Sequence, residues 1–233
     1  MKRRISLLLF YGFVVAAFLI TVRYGSKTVS VLAERLPMER EHCVIIDAGH
    51  GGVDGGAVSC TGKAEAAYNL EIAVRLNDLL HLLGYDTYMT RTTDTSIHTK
   101  GETIAQKKAS DLKERVRIVN ETEGAILLSI HQNNFTDNRY SGAQVFYARE
   151  GESDVLAKQL QSAFVAALNP GSNRKAKKSD GIYLMEHIRR PGVLIECGFL
   201  SNAVEEAKLR APDYQKKVCA VIAATLSQYL SNT

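Results

Sequence analysis

Three apolar runs in this 233-residue chain each end on a residue able to do chemistry. Val44-Ile45-Ile46-Asp47 leads into Ala48-Gly49-His50-Gly51-Gly52, Ile126-Leu127-Leu128-Ser129-Ile130 into His131-Gln132-Asn133, and Val193-Leu194-Ile195 into Glu196-Cys197-Gly198. Two imidazoles and a carboxylate make a familiar catalytic zinc set, with the fourth position left to water. Such a site needs two carboxylates, one to ligate the metal and one to carry a proton from water to the leaving group. Glu65 and Glu196 are the candidates. Glu65 opens the first long helical pattern, just after the glycine-rich loop, within reach of the His50 edge. Glu196 follows a strand and can face the substrate. Taken singly, each residue has a plainer reading, such as a loop histidine or a carboxylate complementing a helix N-terminus. Their joint placement argues for a metal site. His42, His81, His98 and His187 lack such a context and read as surface or packing residues.

The elements that must position these groups are legible in the hydrophobic pattern. Strands are expected at Cys43 to Ile46, Asp86 to Thr90, Ala125 to Ile130, Ala143 to Ala148, Ile182 to Met185 and Val193 to Ile195. Leu70, Ala73, Val74, Leu76, Leu79, Leu80 and Leu83 recur at helical spacing within Glu65 to Leu83, and Gly84 is placed to end that helix. Further helices are expected from Asp111 to about Asn120, from Ser153 to Leu168 before Pro170-Gly171, and from Asp213 to Leu230. The polar stretch Arg91 to Ser110 reads as a long surface loop, and loops of that length are usually functional or mobile. Arg174-Lys175-Ala176-Lys177-Lys178 reads as a solvated basic loop. Strands alternating with helices predict an α/β fold, a mostly parallel twisted sheet of about six strands with helices on both faces. In open sheets of this kind ligands bind at the carboxyl ends of the strands, where the three segments above terminate.

Composition and the N-terminus bound the setting. A hydrophobic fraction of 45% supports one globular domain with a real core, and a net charge of +4 suits an anionic surface without arguing for nucleic acid. Met1-Lys2-Arg3-Arg4 precedes an apolar run from Ile5 to Val22, just long enough to cross a bilayer. The basic cluster places the N-terminus in the cytoplasm. Residues 1–26 are therefore expected to be an N-terminal hydrophobic helix, either a signal anchor or a signal peptide, with Val31-Leu32-Ala33 a distant cleavage site. Residues 27–41 read as a tether and 42–233 as the catalytic domain, working outside the cytoplasm. Cys43, Cys60, Cys197 and Cys219 contain no C-x-x-C pair, so no zinc finger is present and the thiols read as structural. The chain carries no Walker loop, no complete dinucleotide fingerprint, no G-x-S-x-G elbow and no HExxH.

Asp47-Ala48-Gly49-His50-Gly51-Gly52-Val53-Asp54-Gly55-Gly56-Ala57, Glu65 before Asn69-Leu70, Ser129-Ile130-His131-Gln132-Asn133, and Ile195 to Asn202 together resemble the zinc-dependent N-acetylmuramoyl-L-alanine amidases of the third amidase family. The resemblance spans about residues 43 to 230. It implies that His50, Glu65 and His131 ligate zinc and that Glu196 is the catalytic carboxylate. It further implies cleavage of the amide between the lactyl group of N-acetylmuramic acid and L-alanine of the peptidoglycan stem peptide. The basic run and Gly181 to Met185, with the short build and hydrophobic N-terminus, look like the germination-specific spore-cortex branch, which prepares muramic-δ-lactam. Peptidoglycan would then be the substrate, the membrane would be met through the N-terminal segment, and a sporulation partner protein is a further expectation. Two departures stand out: Ala48 where the family usually has proline, and Ala66-Ala67 after Glu65 where it usually has lysine and aspartate. The competing readings are a zinc peptidase cutting within the stem peptide and a non-catalytic wall-binding protein on the same scaffold.

Overall fold

The computed structural model describes residues 42–232, and the expected N-terminal hydrophobic helix lies outside them. Among the described residues no helix is long and apolar enough to cross a membrane. A six-stranded sheet organises the chain: β1 (Cys43–Ala48), β2 (Asp86–Met89), β3 (Ala125–Asn133), β4 (Gln144–Tyr147), β5 (Lys177–Lys178) and β6 (Gly192–Phe199), in the order β2-β1-β3-β6-β4-β5. β2, β1, β3 and β6 run parallel, β4 is antiparallel to β6, and β5 is parallel to β4. The helices are α1 (Glu65–Leu82), α2 (Ile104–Glu121), α3 (Ser153–Ala167), α4 (Tyr183–His187), α5 (Ala203–Arg210) and α6 (Pro212–Leu230).

The apolar runs are continuous because both sheet faces are covered. Val44 and Ile46 of β1, Ile126, Leu128 and Ile130 of β3, and Val193 and Ile195 of β6 point into one core with α1, α3 and α6. The alternate residues Ile45, Leu127 and Leu194 point into a second, smaller core with Val119 of α2 and Leu184 and Met185 of α4. At about 1.5–3 kcal/mol for each fully buried aliphatic side chain, these two layers hold the three chemically important strand ends in register.

Several expected elements differ. Ile182 to Met185 does not form a strand; it enters α4, whose Leu184 and Met185 face inward. A four-residue apolar run has no decisive periodicity, so packing against β6 chooses the helix. The sixth strand instead lies at Lys177–Lys178, inside the basic run read as a loop, and lysines at a sheet edge discourage further strand pairing. The last third of the expected 91–110 loop is helical, because α2 begins at Ile104. Thr103 caps it by accepting from the Gln106 backbone, while the Gln106 side chain accepts from the Thr103 N–H. Helix α5, capped by Asn202, has no counterpart in the expected element order. All four cysteines are free thiols; Cys197 and Cys219 are buried, Cys43 is half-buried and Cys60 exposed.

Candidate metal centre

The carboxyl ends of β1, β3 and β6 lie side by side. His131 and Glu196 are register partners across β3 and β6, so their side chains leave the sheet at one level. His50 follows β1 by two residues, and Glu65 is the first residue of α1. One donor atom from each of His50, Glu65 and His131 lies within 4.8 Å of the other two. The two rings meet edge to face with centroids 5.0 Å apart.

Glu65 sits between the rings. Its Oε1 is 3.0 Å from His131 Nδ1 and its Oε2 3.3 Å from His50 Nε2. Backbone N–H groups of Gln132 and Ala57 donate to the same two oxygens, and the Asn69 amide donates to Oε1. The α1 N-terminus adds its positive pole. Ala66 and Ala67, the family departures noted above, leave this arrangement intact. Burial works against the Glu65 charge, but the two imidazoles outweigh it and hold the carboxyl far below the usual range. His50 is the mirror case. Burial opposes its charge, yet Glu65 and then Asp54 push it up to about 9.

The loop that carries His50 is held in an uncommon shape. His50 has φ 61°, the one non-glycine in the left-handed region among the described residues, a conformation worth of order 1 kcal/mol or more in strain. Two buried arginines hold its backbone. Arg115 Nη2 donates to the His50 carbonyl at 2.8 Å and Nη1 to the Ala48 carbonyl at 3.0 Å. Arg91 donates to the carbonyls of Ala48, Gly49 and Ala66 at 2.8, 3.0 and 2.8 Å. Asp47 anchors Arg115 from below and also accepts from Ser129 at 2.6 Å and Thr90 at 2.8 Å. Burial alone would raise the Asp47 pKa, but Arg115 and these hydroxyls bring it below the usual carboxylate range. Behind the ring, Asp54 Oδ2 lies 2.9 Å from His50 Nδ1, an outer carboxylate that fixes the tautomer and turns Nε2 toward Glu65.

Glycine is required at position 49 because the His131 ring packs directly on it; a Cβ there would overlap the ring. Gly49→Ala is expected to displace His131 and lower turnover by about 100-fold, the scale of an ångström's misplacement. Steady-state rates with the metal content of the purified variant check this, and wild-type values for both would refute it.

Glu196 differs from the other acids. Its Oε2 is buried and has no hydrogen-bond partner among the described residues. Burial pushes its pKa up to about 7; His131 and His50 pull it back, and the Glu65 charge adds to the rise. A carboxylate poised near neutrality and unengaged by the protein suits proton transfer.

The donor set fits a divalent metal of the zinc type: two imidazole nitrogens, one carboxylate, an outer carboxylate orienting one ring, and an unengaged acid in register with His131 on the neighbouring strand. Sequence reasoning named His50, Glu65, His131 and Glu196, and the fold brings all four together. It did not assign roles to Asp47, Asp54, Arg91 or Arg115. Asp54, four residues after His50 in the glycine-rich loop, carried a local signal; the arginines carried none. His81, His98 and His187 bond to Thr87, Ser96 and the Tyr183 carbonyl, away from the cluster.

Fold and site together define a class of hydrolase. The family model described as N-acetylmuramoyl-L-alanine amidase matches residues 44–228, and the chain belongs to that family and is an amidase of that class. It is 37% identical over 235 residues to the germination-specific N-acetylmuramoyl-L-alanine amidase of Bacillus subtilis (strain 168), spanning 99% of this chain and 97% of that protein. Among solved structures it is similar to the CwlD amidase from Clostridioides difficile in complex with the GerS lipoprotein. That match has a TM-score of 0.78 at 36% identity and covers 82% of this chain and 100% of that one. The catalytic domain of CwlV from Bacillus (Paenibacillus) polymyxa matches with a TM-score of 0.68 at 30% identity, over 82% of this chain and 98% of that one.

Proposed function

We propose that this amidase is zinc-dependent and cleaves the bond between the lactyl group of N-acetylmuramic acid and L-alanine in peptidoglycan. The observation that carries the reading is the meeting of His50, Glu65 and His131 donor atoms at the strand end where Glu196, whose buried Oε2 has no partner among the described residues, is the register partner of His131. His50 would bind through Nε2, since Nδ1 is taken by Asp54. Zinc, when bound, supplies Lewis acidity at the scissile carbonyl and at the attacking water. Glu196 takes the proton that water loses as its oxygen bonds to the carbonyl carbon. It returns that proton to the departing nitrogen of L-alanine, leaving a lactyl carboxylate on the sugar. Asp54 holds the His50 ring, and Arg115 with Arg91 holds the loop beneath it.

The near-full-length similarity to a germination-specific amidase supports a role in spore-cortex maturation, where removing the peptide exposes the lactyl group for muramic-δ-lactam formation. The domain would then act outside the cytoplasm, membrane-anchored or secreted through residues 1–26, for instance between the forespore membranes. A lipoprotein partner is supported by the complex formed by the similar CwlD amidase. Digestion of purified peptidoglycan with zinc, followed by mass spectrometry, tests the activity. The expected products are free peptides beginning with L-alanine, abolished by chelation and restored by zinc. Cuts within the stem peptide would instead establish a peptidase. Zinc-loaded protein that releases nothing would indicate a scaffold or a missing partner.

A further inference from the structure

A cavity of about 160 Å³ opens beside the metal centre, walled by His50 and His131 on one side and by Lys108 and Leu112 of α2 on the other. Ile182 and Leu194 complete an apolar wall. Whatever fills this space lies against His50 and His131. Its size suits the first residue of a peptide better than an N-acetylated sugar bearing a lactyl arm, and its apolar wall suits an alanine methyl.

Two cations line it, and they are not equivalent. Arg115 is buried, and its donors go to Asp47, Asp111 and the carbonyls of Ala48 and His50. Asp111 in turn accepts from Arg115, the Ser96 hydroxyl and the Ile97 N–H. Lys108 is half exposed and pairs with Asp54 Oδ1 at 3.0 Å. An ammonium has three donors. Asp54 keeps the His50 ring and the Gly56 N–H as partners if Lys108 turns to share its charge, and an exposed pair of this kind costs little to rearrange.

We propose that this cavity receives the peptide side of the scissile amide and that Lys108 binds a carboxylate of the stem peptide there. The enzyme thus reads the charge of the residue following L-alanine. This rests on the amidase reading above and adds the polarity of substrate binding to it: peptide toward α2, glycan toward the open side.

The test uses two synthetic muramoyl-peptides of equal length, one with a free carboxylate on the residue after L-alanine and one with its primary amide. The zinc-loaded enzyme is expected to show a KM about tenfold lower for the carboxylate, the scale of one charge-assisted hydrogen bond, with similar kcat. Lys108→Gln should collapse that preference to near unity, and Lys108→Arg should retain it. Zinc content is measured on each variant. A preference that survives Lys108→Gln, or none in the wild type, overturns the proposal. So does a fall in zinc with equal losses on both substrates, which would mean that Lys108 acts only through Asp54 and His50. Release of no L-alanine peptide from either substrate by the wild type would instead defeat the amidase reading on which it stands.

Discussion

Glu196→Gln is expected to keep its zinc and lose turnover by about a thousandfold, within the usual worth of a general acid–base. The amide matches the carboxylate in shape but cannot accept the proton of the attacking water. It also cannot give one to the L-alanine nitrogen. Because Oε2 is buried without a partner, replacing a charge with a neutral group removes a desolvation cost and not a supporting bond. The variant should therefore melt no lower than the wild type. Metal analysis, initial rates and thermal melts on one preparation check all three statements. Loss of zinc together with activity would contradict the separate roles given to Glu196 and the His50, Glu65 and His131 set.

Arg115→Met should have the largest effect on stability. The side chain bonds two carboxylates and two carbonyls in a site that excludes water, and its removal leaves Asp47 buried without its counter-charge. Breaking such a pair costs about 3–5 kcal/mol, or roughly 10 °C in Tm for a domain of this size. Arg115→Lys keeps the charge but cannot reach four acceptors from one planar fork. It is expected to recover part of the stability while zinc affinity falls, because the His50 carbonyl loses its anchor and the left-handed backbone relaxes. Zinc competition alongside melting curves separates these effects. A variant with wild-type stability and zinc affinity would refute the bracing role.

The same cluster sets an acid limit. The Asp47 pKa is lower in the folded protein than in the unfolded chain, so its contribution is full above the unfolded value and is lost as pH falls through the folded one. Wild-type stability should start to drop as pH falls below about 4, the unfolded carboxylate value. Asp47→Asn should be less stable at neutral pH and show a shallower slope below that pH.

Local pattern carried much of this molecule. Continuous apolar runs bounded by glycine located β1, β3 and β6, and with them the ends that bear His50, His131 and Glu196. The α1 periodicity placed Glu65 at a helix start. Elsewhere the signals were weak or overridden. Thr103 and Gln106 form a capping box visible in the residues, but the first turns of the helix they begin, Ile104 to Ser110, are polar and read as loop, so the pattern predicts the helix only from Asp111. Ile182 to Met185, expected as a strand, became helical and Lys177–Lys178, expected as loop, became a strand, because a short segment takes the conformation its neighbour offers. β4 supplies an edge to the lysines, and the second core supplies a floor to α4.

The sequence by itself determined which residue types stand at the strand ends and which family they belong to, since both depend on short-range order along the chain. Tertiary structure alone decided how those residues are held. Asp47 lies 68 positions from Arg115, and Ala48 lies 43 from Arg91. Such pairs form only when folding brings distant segments into a space that water cannot enter. There each buried charge must find its partner or destabilise the whole.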